Sequence, residues 1–169
     1  MLEPEILNFG ASDAVLVAAR RNLVSVAAFA GTVQKLGEAL GGPLPAPGTW
    51  IERDGVVYLW TGPETWLAMS EDEGVEHRIA AAAKNLAAVT DQSDGKIIFL
   101  VAGPDPREIL RKLLPIDLHE TAFGRDATAL TLAGHIPVQI WREDQKFALA
   151  CFRSYGKSLY HALAEASAT

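Results

Sequence analysis

Two stretches of the chain carry the same order of apolar runs, and that repetition restricts the fold more than any other feature. At an offset of 81 residues, Ile51 falls on Leu132, Val57 on Val138, Leu59 on Ile140, Trp60 on Trp141 and Trp66 on Phe147. At an offset of 72, Ala30-Gly31 falls on Ala102-Gly103, each pair closing an apolar run. Recurrence at a fixed spacing marks a duplicated supersecondary unit. Each half then reads as a strand, a helix, three strands and a closing helix. The first half predicts strand 23–29, helix 32–41, strands 49–53, 56–61 and 66–70, and helix 73–85. The second predicts strand 96–102, helix 105–114, strands 128–133, 136–142 and 146–152, and helix 155–166.

Helical spacing supports the helices. Val33, Leu36 and Leu40 share a face, as do Val75, Ile79, Ala83 and Leu86. Ile109, Leu110, Leu113 and Leu114 form a third stripe behind the start signal Pro104-Asp105-Pro106. Tyr155, Leu159, Ala162, Leu163 and Ala166 form the fourth, with Ser154 placed to cap it. Tight polar turns such as Thr61-Gly62-Pro63 and Arg142-Glu143-Asp144 join the strands in antiparallel pairs. The fold class is therefore α+β, a duplicated β-α-β-β-β-α unit with helices covering one face of antiparallel sheets. Residues 1–21 read as an N-terminal arm with marginal helicity over 13–19, and 22–169 as one domain of two pseudo-repeats, 22–86 and 87–169.

The halves differ at one connection. The first crosses from helix to strand through the short loop Gly41–Gly48; the difference between the two offsets gives the second half nine more residues there. They lie within 115–126, Pro-Ile-Asp-Leu-His-Glu-Thr-Ala-Phe-Gly-Arg-Asp. A long loop mixing apolar anchors with charges is a place where function collects, although a plain packed loop is as consistent with the residues. Leu118 and Phe123 are the expected anchors, Asp117 a turn acceptor, and His119 an outward residue for a partner.

Composition narrows the partners. The 169 residues are 49% apolar and 21% charged, the balance of a globular protein. A net charge of −6 disfavours nucleic acid, whose phosphates call for a basic surface. No apolar run approaches the ~18 residues that a membrane helix needs. Glu3, Glu5 and Asp13 stand where a signal peptide carries positive charge, so a cytoplasmic location is expected. The single cysteine, Cys151, excludes an internal disulfide and a cysteine-built metal site from one copy.

Catalytic signatures are missing from the sequence. His77, His119, His135 and His161 lack ligand spacing on a common helix face. No Gly-x-Gly-x-x-Gly, Walker loop or Gly-x-Ser-x-Gly elbow is present. Asp91, Ser93 and Asp94 read as a turn, and Trp50, Trp60, Trp66 and Trp141 as strand-borne core residues.

Asp91-Gln92-Ser93-Asp94-Gly95, followed by a strand and Ala102-Gly103-Pro104-Asp105, resembles the folate-binding domain of the aminomethyltransferase (glycine-cleavage T-protein) family. Within that superfamily, the segments Trp60-Thr61-Gly62-Pro63-Glu64-Thr65-Trp66-Leu67, Pro115-Ile116-Asp117-Leu118-His119 with Phe123, and Arg153-Ser154 resemble the gamma subunits of heterotetrameric sarcosine oxidases. The similarity runs from about Asn22 to Ala166. It implies a non-catalytic subunit with an assembly role, partnered by alpha, beta and delta subunits. FAD, FMN, NAD, folate and zinc are then expected on those partners and none on this chain. The T-protein family places a catalytic aspartate shortly after the strand ending here at Phe152, where this chain reads Arg153-Ser154-Tyr155-Gly156-Lys157-Ser158. Leu113-Leu114 departs from the small-residue and cysteine step common before the Pro-x-Asp-Leu-His segment. Asp117, His119, Phe123 and Arg153 are the candidates for partner contact or loop ordering. The alternative is a stand-alone folate-fold scaffold or folate-binding protein of the same superfamily. An iron–sulfur assembly factor is disfavoured because Leu149-Ala150 precedes Cys151 where that family has Lys-Gly.

Overall fold

The computed structural model describes residues 6–9, 14–19 and 21–168, with side chains from 21 onward. Two short strands come first, β1 (Ile6–Phe9) and β2 (Ala14–Ala19). The first repeat follows as β3 (Asn22–Ala28), α1 (Val33–Ala39), β4 (Trp50–Arg53), β5 (Val56–Gly62), β6 (Thr65–Ser70) and α2 (Val75–Ala82). Next is β7 (Ala87–Asp91), a strand that local pattern does not announce. The second repeat runs β8 (Lys96–Ala102), α3 (Pro106–Leu110), β9 (Thr128–Ala133), β10 (Ile136–Glu143), β11 (Lys146–Phe152) and α4 (Gly156–Ala168). The duplicated order is present in full.

The chain divides into two compact units. One is Arg21–Asp94; the other combines Met1–Arg20 with Gly95–Thr169. The boundary lies at 94/95, not 86/87, because β7 pairs antiparallel with β3 through Val26 and Val89. The first unit holds a five-stranded sheet in the order β4-β5-β6-β3-β7. The second holds a six-stranded sheet in the order β1-β2-β8-β11-β10-β9. All ladders are antiparallel. The place that β7 takes beside β3 is taken beside β8 by β2, from the far end of the chain. Residues 14–19 therefore form a strand where marginal helicity is expected, the ladder partner overriding a weak local preference. Asp13 lies outside the described residues.

Local chemistry explains the boundaries. Asp54 and Gly55 both have positive φ, 52° and 75°, as the two-residue turn between β4 and β5 requires. Asp105 caps α3, its Oδ1 accepting the Glu108 N–H at 3.3 Å with Pro106 behind it. That helix stops at Leu110, short of the expected 114, and Leu114 continues the buried face from an irregular turn. Ser154 does not cap α4; it sits within a 3₁₀ turn, Arg153–Tyr155, before the helix opens at Gly156. Gly156 packs closely there, since an added Cβ would meet Ile97 Cγ2 at 3.2 Å and that side chain would have to give by a few tenths of an ångström.

Each sheet packs its helices on one face. In the first unit Val24, Val26, Val56, Tyr58, Trp66 and Ala68 meet Leu36, Val75 and Ile79. In the second, Phe99, Val101, Val138, Ile140, Phe147 and Leu149 meet Ile109, Leu110, Leu159 and Leu163. These faces correct the repeat register. The turn pairs Arg53↔Val56 and Ala133↔Ile136 set an offset of 80 for that hairpin, so Trp60 corresponds to Ile140. Trp60 packs on the helix-side core of its sheet, as Ile140 does. Trp141 lies on the equivalent strand but on the opposite face, fully buried, with Nε1 donating to Glu143 Oε1 at 3.0 Å. A one-residue slip reverses every side chain of a strand.

Candidate functional site

The connection that breaks the symmetry lies between α3 and β9. Seventeen residues, 111–127, separate those elements, against ten, 40–49, between α1 and β4. Seven residues, not nine, are extra there. The shorter connection is closed from within by Arg53, whose guanidinium donates to the carbonyls of Gly42 at 2.9 Å and Pro43 at 2.7 Å.

The longer connection is anchored from below and braced from the side. Leu118 and Phe123 are buried in the core of the second unit, and the Phe123 ring lies 6.3 Å from Phe147. Asp117 Oδ1 accepts the backbone N–H of His119 at 2.8 Å, the side-chain-to-backbone turn that an Asp favours. The His119 carbonyl accepts the N–H groups of Ala122 at 2.9 Å and Phe123 at 2.7 Å. His119 Nδ1 accepts the Thr121 N–H at 3.3 Å and contacts its Oγ1 at 2.9 Å. In the neutral ring the proton then sits on Nε2. Asp117, His119, Glu120, Thr121, Ala122, Arg125 and Asp126 are exposed, while Leu118 and Phe123 between them are buried. The loop is thus a fixed shape with a polar outer surface.

Two arginines brace it. From α3, Arg107 Nε donates to the Leu118 carbonyl at 3.0 Å and its Nη2 to Glu120 Oε1 at 2.9 Å. From β10, Arg142 Nη2 lies 3.8 Å from the same oxygen. Each guanidinium stands 5.9 Å from the centroid of the Phe147 ring. The Arg107 hydrogen bond first, then the charges of Arg107 and Arg142, hold the Glu120 carboxyl below the usual range. The pattern of strands and stripes gives no hint of these three residues, because they meet only across the fold.

Arg153 lies elsewhere. The β8–β11 ladder carries Val101↔Phe147 at the loop end and Lys96↔Phe152 at the other. Arg153 belongs to that other end, its N–H bonded to the Gly95 carbonyl at 2.9 Å and its Nη2 to the Lys96 carbonyl at 3.3 Å. The structure groups Asp117, His119 and Phe123 and separates Arg153 from them. This turn is also the stretch in which the T-protein resemblance would place an aspartate.

The Asp-x-Ser motif forms a closed turn. Asp91 Oδ1 accepts the Ser93 hydroxyl at 2.6 Å and its N–H at 2.9 Å, and these two bonds lower the Asp91 pKa. Ser93 Oγ accepts the Leu23 N–H at 3.0 Å, tying the end of β7 to β3. Cys151 is buried, and burial pushes its thiol up to about 11. Among the described residues, no group of three or more His, Cys, Asp or Glu side chains could hold a metal ion. No helix among them is long and apolar enough to cross a membrane.

The family described as sarcosine oxidase, gamma subunit, matches residues 21–169. The chain belongs to that family. A sarcosine oxidase gamma subunit from Corynebacterium sp. strain P-1 is 34% identical over 116 residues, 66% of this chain and 57% of the relative. One from an Arthrobacter species is 31% identical over 118 residues, 69% of this chain and 53% of the relative. The chain thus spans a little over half the length of these curated relatives. Among solved structures, a chain of the heterotetrameric sarcosine oxidase from Corynebacterium sp. U-96, in complex with pyrrole 2-carboxylate, superposes with a TM-score of 0.82 at 27% identity. That match covers 91% of this chain and 83% of the other. The glycine cleavage aminomethyltransferase T of Bartonella henselae superposes with a TM-score of 0.60 at 12% identity, covering 85% of this chain and 43% of that one, which shows a shared fold. This sarcosine oxidase gamma family member therefore shares its α+β fold of antiparallel sheets with the matched part of the T-protein.

Proposed function

We propose that the chain serves as the structural gamma subunit of a heterotetrameric sarcosine oxidase, assembling with alpha, beta and delta subunits and performing no chemistry itself. The parent complex would convert sarcosine, oxygen and tetrahydrofolate to glycine, hydrogen peroxide and methylenetetrahydrofolate. FAD, FMN, NAD, folate and zinc belong on the partners in this reading, and the complex acts in the cytoplasm. The observation carrying it is the superposition on a chain of the Corynebacterium heterotetramer across nine-tenths of this one. The braced 115–126 loop supports an assembly role, with His119 and its neighbours outermost. The strand leaving it, β9, is a sheet edge bearing Leu130 and Leu132, 55% and 48% exposed, an apolar flank beside the loop.

Native pulldown of the tagged chain, with mass spectrometry and a visible spectrum, tests the reading. Three co-purifying polypeptides and a flavin spectrum are expected from the complex, and a colourless isolated chain without sarcosine oxidation. His119→Ala should lower partner recovery while leaving the melting temperature of the free chain almost unchanged. Unchanged recovery would return the loop to plain packing, and flavin retained by the isolated chain through gel filtration would overturn the non-catalytic assignment.

A further inference from the structure

The brace behind the loop is electrostatically incomplete. The Arg142 side chain is 7% exposed, so its charge has lost most of its water. A buried guanidinium calls for a close anion and filled hydrogen bonds. Here its contacts are long: the Glu120 carboxylate at 3.8 Å and the Asp144 carbonyl at 3.4 Å. Its Nε is buried with no hydrogen-bond partner. Glu120 is committed to Arg107 at 2.9 Å, and its side chain is 65% exposed. Two guanidiniums, one from α3 and one from β10, thus converge on one oxygen of one solvent-facing carboxylate. The Phe147 ring lies beside both and offers an apolar flank that strengthens whatever charge pairing occurs there.

We propose that Arg107 and Arg142 form a carboxylate-binding site, which Glu120 occupies in the free chain and which an acidic side chain of a partner subunit enters on assembly. The incoming carboxylate displaces Glu120 and takes both guanidiniums, of which Arg142 is the under-paired one. Arginine suits this role because its planar donors match the two oxygens of a carboxylate. The loop would then be read at two levels, its outer surface by shape and the cation pair behind Glu120 by charge. The partner half of the proposal rests on the assembly reading given above; the site itself does not.

Glu120→Ala in the isolated chain opens the site, and sodium acetate is the probe, with sodium chloride at matched ionic strength as control. Acetate should raise the melting temperature of Glu120→Ala above its value in chloride, and the difference should vanish in Glu120→Ala/Arg107→Gln and Glu120→Ala/Arg142→Gln. Should Arg142→Gln fail to fold, the Arg107 pair of variants carries the comparison. Equal melting in acetate and chloride overturns the site. In the co-expressed complex, Arg107→Gln should reduce partner recovery about tenfold, whereas Arg111→Gln, which removes an exposed arginine paired with Glu108 outside the site, should retain it. Acetate rescue with undiminished recovery in Arg107→Gln would leave a carboxylate site and overturn its use in assembly. Failure of the tagged wild-type chain to recover any flavoprotein partner would instead remove the assembly reading and leave the acetate result standing.

Discussion

Asp117 and His119 form a single turn in which a carboxylate two residues upstream holds the histidine backbone at 2.8 Å. The bond fixes the path of the chain, and the imidazole takes no part in it. The two residues should therefore separate in their effects. Asp117→Ala should cost about 1 kcal/mol of stability by leaving the His119 N–H to water. Urea unfolding of the free chain measures this, and Asp117→Asn should recover part of the loss because its side-chain carbonyl still accepts.

Trp60 and Trp141 stand on equivalent strands but opposite faces, and only one is sealed. Trp141 is fully buried with its N–H satisfied by Glu143, while Trp60 is half-buried at the edge of its cluster. Trp141→Ala should destabilise by about 3–5 kcal/mol, the range for a large aromatic deleted from a tight core. Trp60→Ala should cost less than half of that. Thermal unfolding of both variants checks the ranking, and equal costs would contradict the face assignment.

Acid should loosen the loop before it unfolds the chain. The Glu120 carboxyl is held below its unfolded value by Arg107 and Arg142, so its stabilising effect is complete above the unfolded carboxylate range. That effect fades as pH falls through the lower folded value. Amide exchange of 119–123 should accelerate across this acidic window in the wild type. Glu120→Gln should exchange faster at neutral pH and lose that acid-dependent acceleration.

Cys151 should be silent to thiol reagents. With its pKa pushed up to about 11, only about 0.1% of the thiol is ionised at pH 8, and the group is buried. Alkylation by iodoacetamide should be slow in the native chain and should proceed at the free-thiol rate in 6 M guanidinium, a concentration of roughly the size that unfolds even very stable domains. Fast native labelling would show that β11 opens.

The legible parts of this fold were those with local signals. The eight repeat strands and four helices stand within a few residues of where their turns and stripes put them, and Asp105 caps α3 as its sequence promises. Leu118 and Phe123 anchor the long connection as their apolar character suggests. Strand β7 was not legible because Ala-Ala-Val-Thr-Asp has modest strand character until Ser93 and the edge of β3 claim it. The offset of 81 aligned Trp60 with Trp141 by likeness of residue, whereas facing depends on parity, which a single residue reverses. The Arg107–Glu120–Arg142 group was invisible for a similar reason, since three polar residues on three elements have no spacing in common.

The strand beside β8 has a kinetic consequence. In the first unit every sheet neighbour arrives within one continuous stretch, so a chain growing from its N-terminus can complete that sheet as it emerges. In the second, Leu16 must wait for Val101, 85 positions later, before its ladder can form. Strand β2 is thus made well before β8 but placed only after it, and closing that span is an entropic cost paid before the pairing returns anything. Until then the β8 edge stands open to any other extended segment, which makes the interval between synthesis and closure the period when this protein is most exposed to mispairing with its own kind.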